Sequence, residues 1–189
     1  MPENKDEQLA AAYLQGDAVA LETLIKHYLK PIYGFVFRFV GNRSDAEDIT
    51  QEVFLRVWRS MKKFDLKRSF RPWLYAIAKN VVIDWLRRKK ILSAAQLSLT
   101  EEDEDLLDNL PDVGPLPDEV LDQQFLAQEL DRLLTELPVK YKTVLVLYYQ
   151  SDFSLPEIAG ILKKPLNTVK SWHRRGLLNL RQLVDKNRF

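Results

Sequence analysis

Between Phe153 and Gly176 the chain reads FSLPEIAGILKKPLNTVKSWHRRG, which sets Lys163, Lys164, Lys170, Arg174 and Arg175 close to His173. Cations so placed do one of two things. They wet the outer face of a helix, or they bind phosphate oxygens and base edges of a nucleic acid. On the second reading Lys170, Arg174 and Arg175 take the phosphates or base edges, and Asn167, Thr168 and Ser171 sit nearest the groove. The elements that carry them favour it. Ser154 and Glu157 have the spacing of a capping box, with Pro156 in a first helical turn that tolerates it. Leu155, Ile158, Ala159 and Leu162 then form the apolar stripe of a two-turn helix. Lys163-Lys164-Pro165 breaks that helix, and Asn167 is expected to cap a second one beginning at Thr168 with an inward Val169. Helix, tight turn and basic helix make a helix-turn-helix, and small Ala159 suits a close crossing. Trp172 and His173 compete for the inward position behind Val169.

A second basic block precedes it. Phe64, Phe70, Trp73 and Tyr75 are interleaved with Lys67, Arg68, Arg71 and Lys79, the pattern in which rings stack on unpaired bases while cations follow phosphates. Rings in so small a domain are also needed for its core. Trp73, Ile77, Val81 and Trp85 recur four apart and predict a long helix over Pro72 to Lys90, with Lys79, Asn80 and Arg87 on the opposite face. Upstream, Gly41-Asn42 ends an apolar helical pattern. A further helix is expected from a Ser44–Glu47 capping box to Arg59, with Ala46, Val53 and Val57 inward. Asp45, Asp48 and Glu52 share another of its faces. Carboxylates in a first turn suit the positive end of a helix, and they also suit a basic protein partner. A dinuclear metal site is a poor fit, because no Glu-x-x-His accompanies them.

The whole-chain balance agrees with a nucleic-acid role. The net charge of +1 is segregated, running −1, +7, −10 and +5 over residues 1–62, 63–90, 91–124 and 125–189. Two basic blocks flank one acidic block. That acidic block contains proline and glycine and reads as an extended linker between two small all-α domains, over residues 1–90 and 125–189. Absence of cysteine excludes disulfides and thiolate metal sites and suits a reducing cytoplasm. No signal-peptide layout and no apolar run of roughly 20 residues occurs, so no membrane span is expected. Two histidines far apart in sequence and the lack of a Gly-rich phosphate loop disfavour an enzyme, and no cofactor is expected. A repressor acting alone would need a dimer interface for two half-sites, and no heptad supplies one.

Four segments, GNRSDAEDITQEVFLRVWRSMKKFD, SFRPWLYAIAKNVVIDWLRRKK, ELPVKYKTVLVLYY and SLPEIAGILKKPLNTVKSWHRRG, occur in the order and spacing of a bacterial RNA polymerase sigma factor. The chain is similar to the extracytoplasmic-function class, which keeps only sigma domains 2 and 4. The resemblance implies that Asp45, Asp48, Gln51 and Glu52 contact the clamp helices of the polymerase's largest subunit. The resemblance implies that the Pro72 to Lys90 helix and the loop before it melt the −10 element, with Asn80 at the base-binding position and Phe64, Lys67, Arg71, Trp73 and Lys79 around the single strand. The helix-turn-helix, with Asn167, Thr168, Lys170, Ser171, Arg174 and Arg175, would read the −35 element. Domain 4 would meet the polymerase flap, the acidic linker would stand in for RNA phosphates, and an anti-sigma factor would hold both domains inactive. The chain departs from the pattern at Ala76, at Trp172, at His173 and at Lys163. Lys163 replaces a turn glycine and would strain a left-handed backbone by roughly 1 kcal/mol.

Overall fold

A computed structural model of the chain describes residues 3–96, 132–134 and 136–187. The described residues form helices and connecting turns, with no strand among them. The acidic linker over 91–124 falls mostly outside them. At its near end the helix expected over Pro72 to Lys90 runs on through Gln96.

The first helical group holds α1 (Glu3–Leu14), α2 (Ala18–Val40), α3 (Arg43–Ser60), a 3-10 turn (Met61–Lys63) and α4 (Phe70–Gln96). Local chemistry sets the boundaries. Asp17 caps α2 by accepting from Val19 N at 2.9 Å. Gly41 ends it at φ 77°, a conformation glycine adopts without a Cβ penalty. Asn42, and not Ser44, caps α3, because its side chain already accepts from Asp45 N at 2.9 Å. Glu47 is thereby free of the expected capping box and pairs with Arg43 at 2.7 Å.

The core of this group is built by Leu24, Tyr28, Ile32 and Val36 from α2, Ala46, Val53 and Val57 from α3, and Leu74, Ala78 and Val82 from α4. The buried stripe of α4 is rotated from the expected one. Phe70, Leu74, Ala78, Val81 and Val82 are buried, while Trp73, Ile77 and Trp85 are partly buried and pack against them. A helix clasped by neighbours on two sides buries a wider arc than a four-residue ridge.

The second group comprises α5 (Val139–Tyr149), α6 (Leu155–Leu162) and α7 (Leu166–Asn187). The Ser154–Glu157 capping box forms in both directions, with Pro156 in the first turn. Lys163 takes the left-handed conformation at φ 52° and ψ 44°, so the geometry that a turn glycine usually serves is kept with a Cβ in place. Lys164 N donates to Ala159 O at 3.1 Å and closes the turn. The next helix starts at Leu166, earlier than expected, because Val169 N reaches Pro165 O at 3.2 Å. Asn167 therefore lies inside the first turn and is not its cap. Val169, Ile158 and Ile161 are buried and lock α6 to α7. Neither Trp172 nor His173 wins the inward place outright. Trp172 packs on the core edge, while the His173 ring lies 4.7 Å from Tyr148 and 5.6 Å from Tyr149. The close crossing falls at Gly176, where a Cβ would stand 3.1 Å from Leu145 Cδ1.

The two groups meet where α4 passes α6 and the loop before it. Tyr75 packs edge-on against Phe153 at 4.9 Å, and the Lys142 ammonium lies 5.2 Å from the Phe39 ring.

Two substitutions test these backbone constraints. Lys163→Gly is expected to stabilise the second group by about 0.5–1 kcal/mol by relieving the left-handed residue. A lower denaturation midpoint would mean that the lysine side chain contributes more than its backbone costs. Gly176→Val is expected to destabilise by about 1–3 kcal/mol through overpacking on Leu145. An unchanged midpoint would mean that α5 and α7 separate freely.

Candidate nucleic-acid and partner interface

The charged residues singled out from the sequence fall on three surfaces. The first is α3. Asp48 and Gln51 are exposed, and Asp45 and Glu52 are half-buried. Each half-buried carboxylate is held locally. Asn42 Nδ2 donates to Asp45 Oδ2 at 2.7 Å. Arg56 bridges Glu52 at 2.7 Å and Asp84 of α4 at 3.1 Å, which orients Glu52 but, with all three groups over a third exposed, contributes little to stability. The same side of the helix carries two large apolar side chains that sequence reasoning missed. Leu55 is 46% exposed and Trp58 is 56% exposed. Asp48, Gln51, Leu55 and Trp58 are spaced three, four and three apart, so they form one ridge. The signal was in the sequence, since Trp58 lies one position from the buried Val57 and cannot share its inward face.

The second surface surrounds the start of α4. Phe64 is 6% exposed and packs on Trp73 at 4.8 Å and Phe70 at 5.7 Å. It is a core ring, and its burial leaves no free face for a base. Lys67 is exposed on the loop, where its amide donates to Asp65 Oδ1 at 3.0 Å. Trp73 is half-buried and Asn80 is exposed; seven residues apart, they lie on one side of the helix.

Arg71, Tyr75 and Lys79 form a different ridge, turned toward the second group. Arg71 donates to the Ser151 carbonyl and its guanidinium lies 4.4 Å from the Phe153 ring centre. Burial, and next the nearby Lys163, hold the Lys79 ammonium below the usual lysine range, against an opposing pull from Asp84. The six residues expected around the single strand are thus divided. Lys67, Trp73 and Asn80 look outward or partly so. Arg71 and Lys79 face the second group, and Phe64 lies beneath the surface.

The third surface is α7. Asn167, Lys170 and Arg174, three and four apart, are exposed along one ridge directly behind buried Val169. Thr168, Ser171 and Arg175 are half-buried beside it, and the Ser171 hydroxyl donates to Thr168 O at 3.2 Å. His173 lies to the other side. Burial lowers its pKa, and its buried Nε2 has no hydrogen-bond partner among the described residues. It packs as a largely neutral ring and adds no cation to the ridge.

Such a helix can enter a major groove, since its cations and short polar side chains project from one side while its opposite side is locked to α6. Among the described residues no cluster of three His, Cys, Asp or Glu side chains is arranged to hold a metal ion. No helix among them is long and apolar enough to cross a membrane.

Comparison with known proteins places both groups. Residues 24–91 match the Sigma-70 region 2 family and residues 127–180 match Sigma-70, region 4. Over 174 residues the chain is 37% identical to the ECF RNA polymerase sigma factor SigW of Bacillus subtilis, covering 90% of this chain and 92% of SigW. In fold it resembles CnrH, solved in complex with the cytosolic domain of CnrY, with a TM-score of 0.67, 23% identity and coverage of 96% and 98%. It also resembles the sigma factor RpoE of Bartonella quintana, solved with the anti-sigma factor NepR, with a TM-score of 0.66, 20% identity and coverage of 87% and 96%. With region 2 carrying the acidic and aromatic surfaces and region 4 carrying the helix-turn-helix, the chain belongs to the ECF RNA polymerase sigma factor family.

Proposed function

We propose that this chain docks on core RNA polymerase in the cytoplasm and directs initiation at its own promoters, without catalysing a reaction itself. The observation that carries the proposal is the exposed Asn167–Lys170–Arg174 ridge, seated by Val169 on a helix-turn-helix and suited to the −35 duplex. Thr168, Ser171 and Arg175 flank it. The α3 ridge, acidic at Asp48 and apolar at Leu55 and Trp58, suits a basic, partly apolar helical face such as the polymerase clamp helices, with Asp45, Gln51 and Glu52 beside it. Region 4 would also meet the polymerase flap. Lys67, Trp73 and Asn80 would meet the −10 strand, joined by Arg71 and Lys79 once these leave the second group. Phe64 supports that surface from below. The domain limits 1–90, 91–124 and 125–189 follow the same division of labour, and an anti-sigma factor would cover the two working faces.

Energetics make the polymerase necessary. Unstacking a base costs a few kcal/mol, least at flexible A·T-rich steps. With two of its −10 cations packed against the other group, the free chain cannot offset that cost. On the polymerase the groups would separate, and Arg71 would exchange the Ser151 carbonyl for phosphate oxygen.

Two variants test the assignment. Asn80 is exposed, so Asn80→Ala is expected to leave the fold and polymerase capture intact. It is expected to lower open-complex formation about 5–100-fold, the scale of one specific base contact; equal loss of capture and melting would make Asn80 structural. Lys170→Ala is expected to weaken −35 binding by the holoenzyme across sequences and to reduce its salt slope by about 1. An unchanged slope would return Lys170 to a merely solvated face.

A further inference from the structure

Helix α1 precedes the residues that match region 2, yet it is bonded to the start of the helix proposed to open DNA. Glu7 Oε1 accepts from Phe70 N at 2.9 Å, across 63 residues of sequence. Phe70 is the first residue of α4 and is 1% exposed. Its amide is one of the donors that a helix N-terminus leaves without an intrahelical partner, and at this depth water is a poor substitute. The second carboxylate oxygen, Oε2, is buried with no hydrogen-bond partner among the described residues. The carboxylate is therefore held by one directed bond and by the positive end of α4. A second bond pins α1 to α2, because the Tyr28 hydroxyl donates to Asp6.

Phe70 is also a hub. Its ring lies 5.7 Å from Tyr28, 5.7 Å from Phe64 and 5.6 Å from Trp73. A shift of its backbone moves Phe64, at one end of the 64–69 loop, and Trp73, one turn into α4. Lys67 sits on that loop. Glu7 bonds Phe70 directly, so its hold on the loop and on Trp73 passes through that residue.

We propose that Glu7 is a positioning residue for promoter opening: an acceptor from α1 that caps α4 from outside and pre-sets the loop and Trp73 before DNA arrives. The inference rests on the proposed role of α4 in opening the −10 element. Preorganisation of this kind acts at the start of α4, whereas the −35 ridge and the α3 ridge are carried by other helices.

The test uses the full chain and two substitutions. Glu7→Ala removes the acceptor; Glu7→Gln keeps an acceptor oxygen at the same reach without the charge. Amide hydrogen exchange of Phe70 reads the bond directly. Exchange in Glu7→Ala is expected to rise about tenfold or more, with Glu7→Gln much nearer wild type. Opening is read with reconstituted holoenzyme on a duplex promoter fragment selected by the wild-type holoenzyme and carrying 2-aminopurine in its −10 element. Glu7→Ala is expected to slow the fluorescence rise about five- to tenfold at unchanged core capture, with Glu7→Gln rescuing most of the rate. Unchanged Phe70 exchange, or faster exchange with normal opening, would overturn the proposal. So would parallel loss of capture and opening, which would mark Glu7 as a general stabiliser. If the wild-type holoenzyme itself opened no selected fragment, the proposed function would fail, whatever Glu7 does to exchange.

Discussion

The ring of Phe70 is the contact on which the arrangement of the first helical group depends. It brings together Tyr28 of α2, Phe64 beyond the 3-10 turn and Trp73 of α4. Burying one such ring contributes about 1.5–3 kcal/mol, and each well-placed ring pair adds about 0.5–1.5 kcal/mol. That is a large share of what holds a small domain together. The consequence is geometric. With Phe70 fixed, Leu74, Ala78 and Val82 must face the core, and helical periodicity then sends Asn80 to solvent and the Arg71–Tyr75–Lys79 ridge toward the second group. One buried ring decides which residues of α4 face solvent and which face the second group.

The contact between the groups is of a different kind. Its chemistry is mixed: the buried Tyr75 and Phe153 rings pack edge-on, flanked by Arg71 on the Ser151 carbonyl and the Phe153 ring, Lys142 against Phe39, and Lys79 close to Lys163. Two lysines near each other repel, and a partly desolvated ammonium lowers its own pKa. Opening this seam would return the Lys79 ammonium to water and relieve that repulsion, at the cost of exposing the Tyr75 and Phe153 rings.

Much of the fold was legible in the sequence because it is written locally. Gly41, the Ser154–Glu157 capping box, the break at Lys163-Lys164-Pro165 and inward Val169 stand where short-range rules put them. The helix starts at Arg43 and Leu166 were less visible: Asn42 and Ser44 could each cap α3, and α7 begins one residue before the polar Asn167 because Val169 N already bonds Pro165 O. Phe64 read as a stacking ring because aromatic residues among cations look alike whether they serve a core or a surface. Leu55 and Trp58 were detectable as apolar residues off the buried face of α3, but the acids beside them drew the attention. The close approach at Gly176 and the bond from Glu7 to Phe70 join residues far apart in the chain. No periodicity encodes such contacts. The charge segregation pointed to nucleic acid, while the assignment to RNA polymerase came from family resemblance and the comparisons that bear it out.

The central claim is that two helical groups become a promoter-reading unit only on polymerase. The most direct measurement is start-site mapping of transcripts made in vitro on genomic DNA by purified core enzyme, with and without this chain, beside melting assays of the chain alone. New, discrete start sites that require both components, with no melting by the free chain, are the expected result. Failure of core enzyme to gain any start site, or promoter opening by the free chain, would contradict the claim.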